Sequence, residues 1–160
     1  MKIVAGIFLL IILSASLNVS AQSAKVPPFK IVQSNGEVFR AHDLPMGKPI
    51  VIIYFSPGCD HCDFLTKELL KRQAEFTNAS IIMITWQPVE IVAAFVQQYQ
   101  LAKHRNIYVG TEGTNFFVRN YYKIEHMPFM ALYTKNGDFI QQYSNETKLP
   151  ALLKELGKLN

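Results

Sequence analysis

Pro49-Ile-Val-Ile-Ile-Tyr-Phe-Ser-Pro-Gly-Cys-Asp-His-Cys62 is the stretch on which the reading of the chain turns. Its first half, Pro49 to Phe55, is continuously apolar and rich in β-branched residues. That is the pattern of a central strand covered on both faces. Pro57 and Gly58 break the strand, and a helical pattern follows from Asp63 to Phe76, with Leu65, Leu69, Leu70 and Phe76 on its apolar side. The chain's two cysteines, Cys59 and Cys62, stand at the junction. At a strand-to-helix turn this spacing lets two sulfurs meet across the first helical turn. The amides of that turn lack intrahelical partners, and the helix dipole favours an anion there. A thiolate is such an anion, so the pair reads as a redox site. A purely structural disulfide fits less well, because so short a loop constrains the unfolded chain little. A closed zinc site wants four ligands, and no second Cys-x-x-Cys or His-x-His pair accompanies this one.

On the N-terminal side, Phe29 to Val32 and Glu37 to Arg40 form a hairpin pattern around Asn35-Gly36. On the C-terminal side, Ala79 to Trp86 is a second buried-strand pattern, and Pro88 opens a helix carrying Val92, Phe95, Val96 and Tyr99. Arg105 to Gly110 predicts a short strand. Thr114 to Tyr122 predicts a helix whose aromatics Phe116, Phe117, Tyr121 and Tyr122 are expected in the core. Phe129 to Thr134 and Asp138 to Tyr143 form another hairpin pattern around Asn136-Gly137, and Thr147 to Leu159 closes the chain as a helix with Pro150 in its first turn. Strands alternating with helices predict an α/β architecture with helices on both faces of a central sheet.

The 160 residues suit one domain, and an apolar fraction of 49% is ample for its core. The formal net charge of +4 is mild and spread along the chain, so no nucleic-acid partner is expected. Met1-Lys2, the apolar run Ile3 to Leu13 and the small-residue end Val19-Ser20-Ala21 read as a secretory signal over residues 1–21, leaving a domain over 22–160. The apolar run is shorter than the ~20 residues of a membrane span. The expected location is the periplasm or the secreted fraction, without stable membrane insertion once the signal is removed.

The layout resembles the thioredoxin-like fold. Tyr54-Phe55-Ser56-Pro57-Gly58-Cys59-Asp60-His61-Cys62 carries the resemblance, together with Met127-Pro128 and the hairpin that follows. The N-terminal hairpin and the spacing from Cys62 to Pro128 look like the exported TlpA/ResA-type branch, with its extra strand–helix unit in the middle. The resemblance implies a mixed β-sheet flanked by helices and a thiol–disulfide oxidoreductase that needs no cofactor and no metal. It implies Cys59 as nucleophile and Cys62 as resolving thiol. Pro128, in the cis form, would face the cysteines and present the Met127 backbone to an extended peptide. The implied partners are proteins bearing dithiols or disulfides, and a second redox protein that recycles the site.

Two departures stand out. Enzymes of this type commonly carry a buried acid six residues before the first cysteine, and here that position is Ile53. Glu75, Glu90, Glu112 and Glu125 are the acids open as replacements. The dipeptide Asp60-His61 is the other departure: the histidine resembles the Cys-Pro-His-Cys of DsbA-type oxidants, the aspartate does not. Protonated His61 and the helix N-terminus favour the Cys59 thiolate, and Asp60 opposes them. A more stable thiolate makes the pair more oxidising, so His61 pulls toward an oxidant while the overall layout pulls toward a reductant. A copper-binding or metallochaperone protein is the alternative, with His61 or His126 joining the soft thiolates. The Sco-type proteins it would resemble use a Cys-x-x-x-Cys, one residue longer. A peroxidase-like reading is weaker still, with Ser56 rather than threonine three residues before Cys59.

Overall fold

A computed structural model describes residues 24–159; the expected signal over residues 1–21 lies outside them. Within that span the chain forms seven strands and four α-helices: β1 (Lys30–Gln33), β2 (Val38–Arg40), β3 (Ile50–Tyr54), α1 (Asp60–Lys71), β4 (Ser80–Thr85), α2 (Val89–Gln98), β5 (Ile107–Thr111), α3 (Phe117–Tyr122), β6 (Phe129–Tyr133), β7 (Phe139–Ser144) and α4 (Leu149–Leu156). The strands make one mixed sheet in the order β2-β1-β5-β4-β3-β6-β7. The parallel pairs β3/β4 and β4/β5 stand at its centre, and antiparallel pairs complete both sides. Every residue of β3, β4 and β6 is buried, as continuous apolar runs demand.

Side chains alternate across the sheet, so adjacent residues of β3 serve different cores. Val51, Ile53 and Phe55 join Cys62, Leu65 and Leu69 of α1, Val92 and Phe95 of α2, and Leu149, Leu152, Leu153 and Leu156 of α4. Ile50, Ile52 and Tyr54 join Phe29, Ile31 and Phe39 of the N-terminal hairpin, Val118 of α3, and Phe129, Ala131 and Tyr133 of β6. The two Asn-Gly turns form as expected, with Gly36 at φ +84° and Gly137 at φ +77°, values a side-chain-free residue adopts without strain.

Two expectations need correction. The helix after β3 begins at Asp60, inside the cysteine motif, and ends at Lys71; Gln73–Phe76 is a separate 3-10 turn. Apolar spacing alone could not locate that start, because the first turn is built from Asp60, His61 and Cys62. The four aromatics around α3 are divided: Phe117 and Tyr121 are exposed, while Phe116 and Tyr122 are half-buried. A six-residue helix buries little more than one row of side chains, and here that row is Val118.

Candidate active site

β3 delivers the chain to the site, and Ser56-Pro57-Gly58 turns it. Gly58 has φ +80°, a left-handed conformation that favours glycine. Cys59 is the N-cap of α1, with extended backbone, and its carbonyl accepts the first helical bond from the Asp63 N–H at 2.9 Å. Its sulfur is therefore carried at the helix N-terminus, where the amides of the first turn have no partner inside the helix. Cys59 is half-buried, Cys62 is 1% exposed, and both are free thiols. The two sulfurs lie close enough for a hydrogen bond and a charge on Cys59 to act on Cys62. Burial pushes the Cys62 thiol well above its ordinary value. The Cys59 sulfur and the Asp63 carboxylate add to that push, while the Ser56 N–H, which donates to Cys62 Sγ at 3.5 Å, works against it. One thiol is open to solvent and the other is held protonated behind it.

A second loop closes on the first. The Met127–Pro128 peptide bond is cis. In the antiparallel β3/β6 pair Tyr54 stands opposite Phe129, and continuing that register brings Pro128 alongside Phe55 and Met127 alongside Ser56. Met127 packs against the same core as Cys59. The Pro128 carbonyl accepts from the Asn145 N–H at 2.9 Å, which ties in the segment after β7.

Three further side chains that the sequence reading did not single out belong to this neighbourhood. Gln87, just beyond β4, donates from Nε2 to Ser56 Oγ at 2.8 Å and to the Pro57 carbonyl at 3.0 Å. Its amide fixes the turn that leads to Cys59. Asp63 acts on Cys62 and faces Tyr99 of α2, whose buried hydroxyl makes no hydrogen bond of good geometry; burial and that carboxylate push the phenol up to about 12. The Glu146 carboxylate accepts from the His61 ring at Nδ1, with 2.9 Å between the two groups. Helical spacing places Asp63 one turn from Cys59, which is the one signal that points to it.

None of the four acids left open above stands beneath Cys62. Glu75, Glu90 and Glu125 are exposed. Glu112 is buried, but it serves the opposite face of the sheet. Its carboxylate accepts from the Tyr54 hydroxyl at 2.7 Å and from the Val118 N–H at 2.6 Å. Ile53 occupies the Cys62 face as an apolar residue. Asp60 is exposed at the first position of α1, and His126 is exposed before the cis proline. Among the described residues no three His, Cys, Asp or Glu side chains converge as metal ligands would. Trp86 stacks on Tyr54 with ring centroids 6.2 Å apart, also on the far face.

No protein-family model matches the chain, and no curated protein matches it in sequence. Solved structures do. A thiol-disulfide oxidoreductase from Bacteroides fragilis aligns at TM-score 0.68 and 17% identity over 83% of this chain and 99% of its own. The chain has the thioredoxin-like fold. A secreted Mycobacterium tuberculosis disulfide oxidoreductase homologous to Escherichia coli DsbE aligns at TM-score 0.65 and 19% identity, over 80% of this chain and 96% of its own. Peroxidoxin BcpB from the same organism aligns at TM-score 0.73 and 13% identity, over 87% and 97%. Within the sheet the N-terminal hairpin β1–β2 forms one edge, joined through β5 to the central strands β4 and β3.

Proposed function

We propose that the protein is a thiol–disulfide oxidoreductase that exchanges disulfides with protein dithiols outside the cytoplasm. The observation that carries this reading is the pairing of a solvent-reachable Cys59 at a helix N-terminus with a buried, protonated Cys62 directly behind it. In the direction of substrate reduction, the Cys59 thiolate attacks one sulfur of a substrate disulfide. A mixed disulfide forms and the other substrate sulfur leaves as a thiolate, which takes a proton from solvent. Cys62 then attacks Cys59 Sγ and passes its proton to the second departing substrate sulfur. The Cys59–Cys62 disulfide and a substrate dithiol result; the reverse sequence oxidises a dithiol.

Met127 and Pro128 are the proposed docking edge for the substrate backbone, because they lead into β6, whose first residue pairs with the last residue of β3 before the cysteine turn. Asp60 and His61 are the proposed tuning residues, since both belong to the first turn of α1. Export is supported by the leader pattern of residues 1–21 and by the likeness to a secreted oxidoreductase. Among the described residues no helix is long and apolar enough to cross a membrane.

The deciding experiment is reduction of insulin disulfides by dithiothreitol, with and without the protein. Catalysis by the wild type, its loss in Cys59→Ser, and accumulation of a mixed disulfide in Cys62→Ser are expected. Equal rates for wild type and Cys59→Ser would overturn the assignment. One equivalent of tightly held copper on the reduced protein would move it to the metallochaperone class.

A further inference from the structure

The sequence sets a histidine inside the redox motif, where it would stabilise the Cys59 thiolate and make the pair oxidising. The structure gives that histidine another partner. Nδ1 of His61 lies 2.9 Å from Oε1 of Glu146, on the 3-10 turn Glu146–Lys148 that joins β7 to α4. We infer that Glu146 is a positioning residue that withholds the His61 imidazole from the Cys59 sulfur, and so keeps the pair a weaker oxidant than its motif alone would make it. This rests on the thiol–disulfide reading of the site.

Three observations support the assignment. Glu146 is built in, not a loose surface acid: its side chain is 14% exposed, against 69% for His61. The turn that carries it is held at its N-terminal end. Asn145 donates its N–H to the Pro128 carbonyl at 2.9 Å, and its Oδ1 accepts from the Thr147 N–H at 3.2 Å and from the Thr147 hydroxyl at 2.6 Å. The carboxyl is also the stronger claimant. Its own backbone N–H and the His61 ring hold it below the usual carboxylate range, so it is charged wherever thiol exchange proceeds. A carboxylate fixed in place and a thiolate that exists only in the reduced protein compete for one imidazole, and the fixed group needs no reorganisation to win it.

The competition can be read in the equilibrium with glutathione. One protein dithiol and one glutathione disulfide give one protein disulfide and two glutathione thiols, two electrons and two protons passing to glutathione. Glu146→Gln keeps the shape of the side chain and removes the charge that holds the ring. Freed His61 then stabilises the reduced protein, and the equilibrium shifts about tenfold toward the dithiol, which corresponds to about 30 mV for a two-electron couple.

His61→Ala supplies the control, because its ring is exposed and its removal is expected to leave the fold intact. It is expected to move the constant less than Glu146→Gln does, and adding Glu146→Gln to it should produce no further shift. An equal shift in both backgrounds would mean that Glu146 acts on the sulfur by its own charge, and the inference fails. A shift toward the disulfide, or none, also overturns it. If the wild type forms no disulfide with glutathione at all, the oxidoreductase reading falls and this inference falls with it; normal exchange without coupling removes the inference alone.

Discussion

Ile53 and Tyr54 are neighbours on β3, both fully buried, and they face two different interiors. On the Ile53 side, three helices pack apolar side chains around the buried Cys62 thiol. On the Tyr54 side, a buried carboxylate is satisfied several times over. Glu112 receives the Tyr54 hydroxyl and the Val118 N–H, and through them joins β3, the end of β5 and the start of α3. Each arrangement suits its work. On the proposed mechanism, a thiol kept protonated by dry surroundings is held in reserve until a mixed disulfide forms beside it. A carboxylate with two good donors is fixed and costs little to bury. The chain does hold a buried acid, and it stands on the face where it supports the fold and away from the sulfur.

Removal of that acid is the harshest test of the difference. Glu112→Ala leaves the Tyr54 hydroxyl and the Val118 N–H without acceptors in a closed interior. Each orphaned group costs ~1–3 kcal/mol, so a loss of about 4 kcal/mol is expected in urea unfolding. The glutathione equilibrium should stay within twofold of the wild type. A large change there would mean that the two faces communicate, and the division drawn above would be wrong.

Gly110→Ala probes the same face more gently. A Cβ at that position would sit 2.7 Å from the Val32 carbonyl and 3.0 Å from the Ile31 side chain. The first of these is backbone, so β1 must shift away from β5, at a cost of about 2 kcal/mol by analogy with overpacked cores. Unfolding midpoints will measure it. The cysteine turn lies across the sheet, so alkylation of Cys59 by iodoacetamide should proceed at the wild-type rate. A slower rate would show that the N-terminal hairpin helps to shape the site.

How far the sequence could be read follows from the distance over which each feature is determined. The Asn35-Gly36 and Asn136-Gly137 turns, the buried run Pro49 to Phe55 and the paired cysteines all announce themselves within a few residues, and each stands where expected. The alternation of β3 even shows that Ile53 and Tyr54 point apart. It cannot say what meets them, which is why Glu112 could not be separated from three exposed glutamates. His61 and Glu146 are 85 residues apart, and their meeting depends on how the chain returns after β7. Gln87 meets Ser56 only because β4 ends beside β3. Local chemistry is legible in the chain; partnerships between strand ends require the folded sheet.

The smallest effect tests whether the Cys62 face is as dry as its packing implies. Burial holds the Cys62 thiol well above its ordinary value in the folded protein. In the unfolded chain a thiol loses its proton above about pH 8.5. Between those limits the folded state binds more protons than the unfolded state, so stability falls as pH rises. The stabilisation is complete below about pH 8.5 and declines by up to ~1.4 kcal/mol per pH unit above it. Cys59→Ser leaves Cys62 as the one titrating thiol, and Cys59→Ser with Cys62→Ala removes both. Buried tyrosines such as Tyr54 and Tyr122, likewise raised by burial, contribute equally to the two variants and cancel. The urea stability of the first variant should therefore drop faster than that of the second between pH 8 and about pH 10. Parallel curves would mean that water reaches Cys62 in the folded state, and that the contrast between the Ile53 and Tyr54 faces is one of shape without a difference in polarity.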